Sequence, residues 1–222
     1  MRRGWAVLGL SLGLGLLAAG CTSFGDLFAP APAPTPAAVT APSPADVARF
    51  QQCLGDLDEL GIGFQLVPAF STPQGCGFAD GVRIASEGVD LNRPVALSCA
   101  LALAFANFEY QDIEPLAQRY LHASVTRVYH AGSYNCRDIR GHGKGLSEHA
   151  FGRAIDVTGF ELGDQTVVNV AHDWAGPGPK SEFLHAVAKS ACTMFDAVIT
   201  PDDNAEHHDH LHLDIGGRKF CG

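Results

Sequence analysis

The sequence predicts an α+β domain over residues 46–222, in which a small, largely antiparallel β-sheet has helices packed on it. Two patterns lead there. Helical spacing of apolar residues comes mostly early in this region and strand alternation mostly late, with no internal repeat. The roughly 175 residues involved are ample for one core.

Each element has its own signal. Val47, Phe50, Leu54 and Leu57 recur at helical spacing behind Pro44, and Gly61 offers a stop, so a helix starts near Ser43. Residues 64–67 and 82–91 read as strands around a Gly- and Pro-rich loop holding Cys76. Pro94 opens an apolar stretch to about Phe108, too unbroken for a surface helix and therefore read as the central buried one. A shorter helix is expected over 115–122, then strands over 125–130, 153–160 and 166–170. Residues 183–195 form an amphipathic helix carrying Cys192, and 210–215 form the last strand.

Ahead of the domain, residues 1–20 have the pattern of a secretory signal. Arg2 and Arg3 precede an apolar run from Trp5 to Ala19. That run is shorter than the roughly 18 to 20 apolar residues a spanning helix needs. It ends in Leu17-Ala18-Ala19-Gly20-Cys21, which resembles the bacterial lipobox, whose cysteine is lipidated and becomes the first residue of the mature protein. The competing reading is an uncleaved signal anchor. Residues 21–45 are then the lipidated Cys21 and a Pro/Ala-rich tether, whose low-complexity stretch 29–45 would span roughly 50 Å at the polyproline II rise. The expected location is the bacterial cell envelope, facing the periplasm. Thr22 and Ser23 after the cysteine favour the outer membrane over the inner.

Setting Cys21 aside leaves Cys53, Cys76, Cys99, Cys136, Cys192 and Cys221. An even number in an exported protein suggests up to three disulfides among 15 possible pairings. Cys192–Cys221 is the favoured pair, since it would tie the last helix to the end of the last strand. A Cys-rich zinc cluster is the alternative, and the lack of any Cys-x-x-Cys argues against it. The formal net charge is −9, or −11 once the signal is removed, with 13 basic residues against 24 acidic. That balance argues against nucleic-acid binding, which relies on Lys and Arg. It also gives no attraction to anionic lipids, leaving the membrane contact to the N-terminal lipid.

The chemistry lies in two separated segments. In Arg153-Ala154-Ile155-Asp156-Val157, strand alternation sets Asp156 opposite Ile155 and Val157. In His210-Leu211-His212-Leu213-Asp214-Ile215 it puts His210, His212 and Asp214 on one face. With His149, these residues offer two imidazoles and a carboxylate, the three protein ligands of a catalytic zinc, on the face of the sheet. Residues 210 and 212 sit about 6.6 Å apart along a strand, so either or both could touch one ion. Zinc lowers the pKa of a bound water to about 7, and an adjacent imidazole can take its proton. Asp214 could orient a ligand imidazole. The run Glu206-His207-His208-Asp209-His210 admits another reading, a metal-scavenging tract. His207 and His208 are expected in the loop before the alternation.

The pattern Ser147-x-His149-x-x-Gly152-x-Ala154-x-Asp156 followed by His210-x-His212 resembles the signature of the D-Ala-D-Ala metallopeptidase and lysostaphin superfamily of zinc peptidases. At closer range, residues 50–222 resemble the bacterial extensin-like C-terminal domain family. The matching features are Ser133-Tyr134-Asn135-Cys136-Arg137, Ser147-Glu148-His149-Ala150, Ala154-Ile155-Asp156-Val157, His210-Leu211-His212-Leu213-Asp214, Pro94 to Cys99, and Cys221. The resemblance implies one Zn2+ per chain held by His149, Asp156 and His212, with His210 as base or transition-state stabiliser. It implies Arg137 as an oxyanion-steadying arginine, although Asn135 and Cys136 intervene after the tyrosine and Arg140 is a rival. Ser147 is a supporting residue, or the cap of a turn. Asp209 takes the place of a glutamate found in the carboxypeptidase branch.

The leading expectation is a lipid-anchored zinc metallopeptidase, a D,D- or L,D-peptidase that hydrolyses amide bonds in peptidoglycan peptides and acts as a monomer. The alternatives are a non-catalytic zinc-containing module that binds the wall and helps attach the envelope, and metal buffering by residues 207–212.

Overall fold

The computed structural model describes Met1 and residues 42–86, 88–140 and 145–222. Cys21, the expected signal beyond Met1 and the tether up to residue 41 lie outside the described residues. The chain divides into two units, Met1–Thr35 and Pro36–Gly222, and the described strands and helices all belong to the second.

Ser43 starts the first helix by reciprocal capping. Its hydroxyl accepts the Asp46 N–H at 3.2 Å, and the Asp46 carboxylate accepts the Ser43 N–H at 3.1 Å. Helix α1 then runs Pro44–Glu59, and Gly61, with φ of +75°, ends it. Next come β1 (Phe64–Leu66), β2 (Phe70–Ser71), β3 (Gly77–Phe78), β4 (Gly81–Ser86) and β5 (Asp90–Ser98). Helix α2 (Cys99–Phe108) continues through a π-helical turn, Glu109–Ile113, into α3 (Glu114–Leu121). Then come β6 (Val125–Gly132), a 3-10 turn at Glu148–Phe151, β7 (Ala154–Leu162), β8 (Val167–Asn169), α4 (Val170–Asp173) and α5 (Pro179–Ala191). The chain closes with β9 (Ala197–Ile199), a second 3-10 turn at Ala205–His207, β10 (Leu211–Asp214) and β11 (Phe220–Cys221).

The expected α+β class stands, with a sheet larger than expected. Nine strands share it in the order β1-β4-β5-β6-β7-β10-β9-β11, and β8 also pairs with β7. It is mixed: β5–β6 and β9–β11 are parallel, while the other neighbours are antiparallel. Strands β2 and β3 pair separately.

Several expected boundaries move. The strand expected over 82–91 is two strands, β4 and β5, broken before Asp90. Pro94 lies inside β5, not at a helix start. The residues between Leu91 and Val95 bulge out of the β4 ladder, where a missing N–H costs nothing. The buried helix begins only at Cys99, where the Ser98 hydroxyl caps the Leu101 N–H at 3.3 Å. The last helix is α5, starting at Pro179 and ending at Ala191, so Cys192 is its C-cap instead of an interior residue. His210 and Ile215 flank β10 and are not part of it.

The core lies under one face of the sheet. Leu211 and Leu213 of β10 and Ile155 and Val157 of β7 are buried there, against fully buried Phe105, Phe108, Phe160, Phe183 and Phe195. The rings of Phe160 and Phe183 meet edge to face with centroids 5.3 Å apart, as do those of Phe108 and Phe195. Strand β7 reaches both Val157 and Phe160 on one face because its register shifts in between. Gly159 pairs with Tyr129 and Val157 with His130, leaving Thr158 as the extra residue of a β-bulge. Along its other edge, β7 pairs with β10 over Ala154–Val157 and with β8 over Gly159–Glu161. Gly159 makes the second contact possible, since a Cβ there would lie 2.4 Å from the Val168 carbonyl oxygen.

The six cysteines of the described domain form three disulfides, Cys53–Cys99, Cys76–Cys136 and Cys192–Cys221. The last is the favoured pair, and it fastens the end of α5 to β11. No described helix is long and apolar enough to cross a membrane.

Candidate metal centre

Three elements meet at the sheet face opposite the core. His212 of β10 and Asp156 of β7 are direct cross-strand partners. His149 comes from the 3-10 turn just before β7. Ser147 caps that turn, its hydroxyl accepting the His149 N–H at 3.4 Å. Gly152 ends the turn at φ of +62°, where a Cβ would press to 2.9 Å from the Phe78 ring. The segment after β6 fixes the turn from the other side, as Asn135 N–H donates to the His149 carbonyl at 3.0 Å.

The donor atoms form a tight triangle. His149 Nε2 is 3.1 Å from Asp156 Oδ1 and 3.1 Å from His212 Nδ1, and His212 Nδ1 is 3.0 Å from Asp156 Oδ1. Each imidazole has its other nitrogen engaged. His149 Nδ1 lies 2.6 Å from the Ser133 carbonyl oxygen, an acceptor, and so donates its proton there. His212 Nε2 donates to Asp214 Oδ2 at 3.1 Å, while Asp214 Oδ1 accepts the Gly216 N–H at 2.9 Å. Neutral rings would therefore point two lone pairs and a carboxylate oxygen at one another, an arrangement that needs a cation or a proton between them. Donors of a tetrahedral zinc, about 2.0–2.1 Å from the ion, lie about 3.3 Å from each other, a few tenths wider than this triangle. His149, Asp156 and His212 thus form a donor set that could hold a metal ion, and their chemistry fits zinc.

The electrostatics agree. Burial acts to raise the Asp156 carboxyl, but hydrogen bonds from His149 and His212 outweigh it and hold the group well below the usual carboxylate range. Burial acts to lower His212, yet Asp156 and Asp214 hold it up at about 9. A field that keeps a proton on a buried imidazole also favours a metal cation in that place.

The remaining site residues lie around the triangle. His210 precedes β10, with Nε2 3.5 Å from Asp156 Oδ1 and Nδ1 2.7 Å from Asp209 Oδ1. It is not one of the three converging donors. Ser147 acts on the site through the backbone of His149, and Asp214 through His212 Nε2. Arg137 is half-buried and donates to the Asp138 carbonyl at 3.4 Å. Burial, then the neighbouring Arg140 cation, holds its guanidinium below the usual value, against the pull of Asp156 and Glu206. Arg140 itself pairs with Glu206 at 3.8 Å.

His207 is the residue that sequence reasoning placed apart from the site. The 3-10 turn Ala205–His207 brings its ring to 5.0 Å from that of His210 and 5.6 Å from that of His212. Burial and those two neighbours press it down to about 4, so it is neutral near pH 7. Asn204 signals the turn, since its side chain accepts the Glu206 N–H and lies 2.7 Å from His207 Nδ1. His208 stays exposed.

Residues 51–222 match the family described as "Extensin-like protein C-terminus". No curated protein and no solved structure matches the chain.

Proposed function

The chain belongs to the extensin-like C-terminal family, and from that premise we propose that it is a zinc metallopeptidase of the bacterial cell envelope. It hydrolyses amide bonds in peptidoglycan peptides and is anchored by a lipid on Cys21. One observation carries the reading: three donors converge within 3.1 Å of one another on a sheet face, with His210 Nε2 beside them, 3.5 Å from Asp156 Oδ1. A structural zinc would close its fourth position with a protein ligand, whereas a catalytic one keeps it open.

His149, Asp156 and His212 would hold the ion, which when bound polarises a carbonyl and activates water. The chain's own groups do the rest. Ser133 and Asp214 fix the tautomers of the two ligand imidazoles, so their lone pairs stay aimed at one point. His210 Nε2 accepts a proton from the attacking water and returns it to the leaving amine. Arg137, within the electrostatic reach of Asp156, supplies positive charge where oxyanion character develops. Three disulfides suit an oxidising compartment outside the cytoplasm.

The test is incubation of the purified protein with peptidoglycan, with and without chelator, followed by mass analysis of released fragments. Chelator-sensitive release of peptides supports the hydrolase. Tight binding to the wall with no release at any metal loading would replace it with a non-catalytic attachment module.

A further inference from the structure

Building on the hydrolase reading, we propose that Asp209 is a positioning residue, forming with His210 a carboxylate–imidazole pair that holds one tautomer of His210 with Nε2 toward the metal centre. Asp209 Oδ1 lies 2.7 Å from His210 Nδ1, within the range of a charge-assisted hydrogen bond. A carboxylate only accepts, so the Nδ1 proton is donated to it and the lone pair resides on Nε2. That nitrogen lies across the ring, 3.5 Å from Asp156 Oδ1.

The placement separates two roles for an acidic residue at this point in the chain. A carboxylate acting directly as base must face the reacting atoms. The Asp209 side chain is half-exposed and sits behind the imidazole, on the side away from the donor triangle. Its second oxygen, Oδ2, looks outward, 3.9 Å from Nε2 of exposed His208. Asp209 therefore acts through His210, as the third group that orients a base. The His207 ring packs beside the imidazole, its centroid 5.0 Å from that of His210.

The test uses the full chain, loaded with Zn2+ and labelled with 15N at histidine. Ring nitrogen shifts report which nitrogen carries the proton, and His210 is assigned by the signals lost in His210→Ala. The wild type is expected to show Nδ1 protonated and Nε2 bare. In Asp209→Ala the two tautomers should mix and kcat should fall at least about tenfold, with KM and zinc stoichiometry little changed. Asp209→Asn, whose carboxamide oxygen can still accept the proton, should recover part of both effects. A wild-type His210 protonated on Nε2 overturns the proposal, and so does an Asp209→Ala variant with unaltered kcat. The nitrogen shifts need no turnover, so a wild type that cleaves nothing sinks the hydrolase reading while the shifts still decide the pair.

Discussion

Removing the Cys76–Cys136 bridge should weaken the metal centre and the fold together, and the two effects can be measured apart. The change is Cys76→Ala with Cys136→Ala, which leaves no stray thiol. The bridged residues are 60 apart, and closing a loop of that length restricts the unfolded chain by about 4 kcal/mol at 25 °C. The overlapping Cys53–Cys99 bridge already restrains part of that stretch, which brings the expected loss nearer about 3 kcal/mol. For a domain of this size that corresponds to a Tm lower by on the order of 10 °C. The effect on the site has a different origin. Cys136 anchors the segment whose Ser133 carbonyl takes the His149 Nδ1 proton and whose Asn135 N–H holds the His149 backbone. Loosening that segment frees one ligand, and zinc affinity should drop about 10- to 100-fold. The control is Cys192→Ala with Cys221→Ala. Those residues are 29 apart, worth about 3.5 kcal/mol by the same estimate, but they clamp α5 to the far edge strand β11. Thermal unfolding and chelator competition on both variants decide the matter. Equal losses of zinc affinity, or none in the Cys76/Cys136 variant, would refute the claim that this bridge positions His149.

The other predictions concern single side chains. His149→Ala and His212→Ala should each abolish stoichiometric zinc by metal analysis, and full occupancy after both changes would assign the metal to the His207–His208 tract. His210→Ala should keep its zinc and lose about 10²- to 10⁴-fold in hydrolysis, as expected for a positioned acid–base group; loss of the metal as well would mark a closed site. Glu109→Gln should flatten the pH dependence of stability. Glu109 Oε2 is buried with no hydrogen-bond partner among the described residues, and burial pushes the carboxyl up to about 8 against an unfolded value near 4.5. The folded chain then keeps a proton that the unfolded chain releases, so stability declines as pH rises from about 4.5 to 8, by about 3 kcal/mol at pH 7. Unfolding midpoints of wild type and variant that run parallel between pH 5 and 8 would exclude that role for Glu109.

The facing of Asp156 and His212 could be read from sequence because strand alternation is a short-range code, whereas His149 and the choice of His212 over His210 rest on the family resemblance. Asp156 and His212 each sit between apolar residues that must face the core, so their own direction follows. The boundaries of β5 and α2 were hidden by their shared apolarity. From Pro94 to Phe108 the run carries no break in hydropathy, and only the Ser98 cap marks the change from strand to helix. Strands β9 and β11 are three and two residues long, below what any period can reveal, and they exist by pairing with partners distant in sequence. His207 escaped for a related reason: a single 3-10 turn has no periodicity, and its ring reaches the site only through a bend that Asn204 stabilises. Nor did sequence foretell the π-helical turn that joins α2 to α3.

The bulge at Thr158 divides β7 into two half-strands out of phase by one residue. The first half, through Val157, is read against β10 and carries the Asp156 donor. The second, from Gly159, is read against β8 and sends Phe160 into the core. Along this edge the first half lies beside β10 and the second beside β8, while both halves share β6 and the core. Deleting one residue from either half would absorb the bulge and turn the affected segment over, exposing aromatic surface or burying a carboxylate. A change of length in this strand would thus be felt at the donors and in the core together.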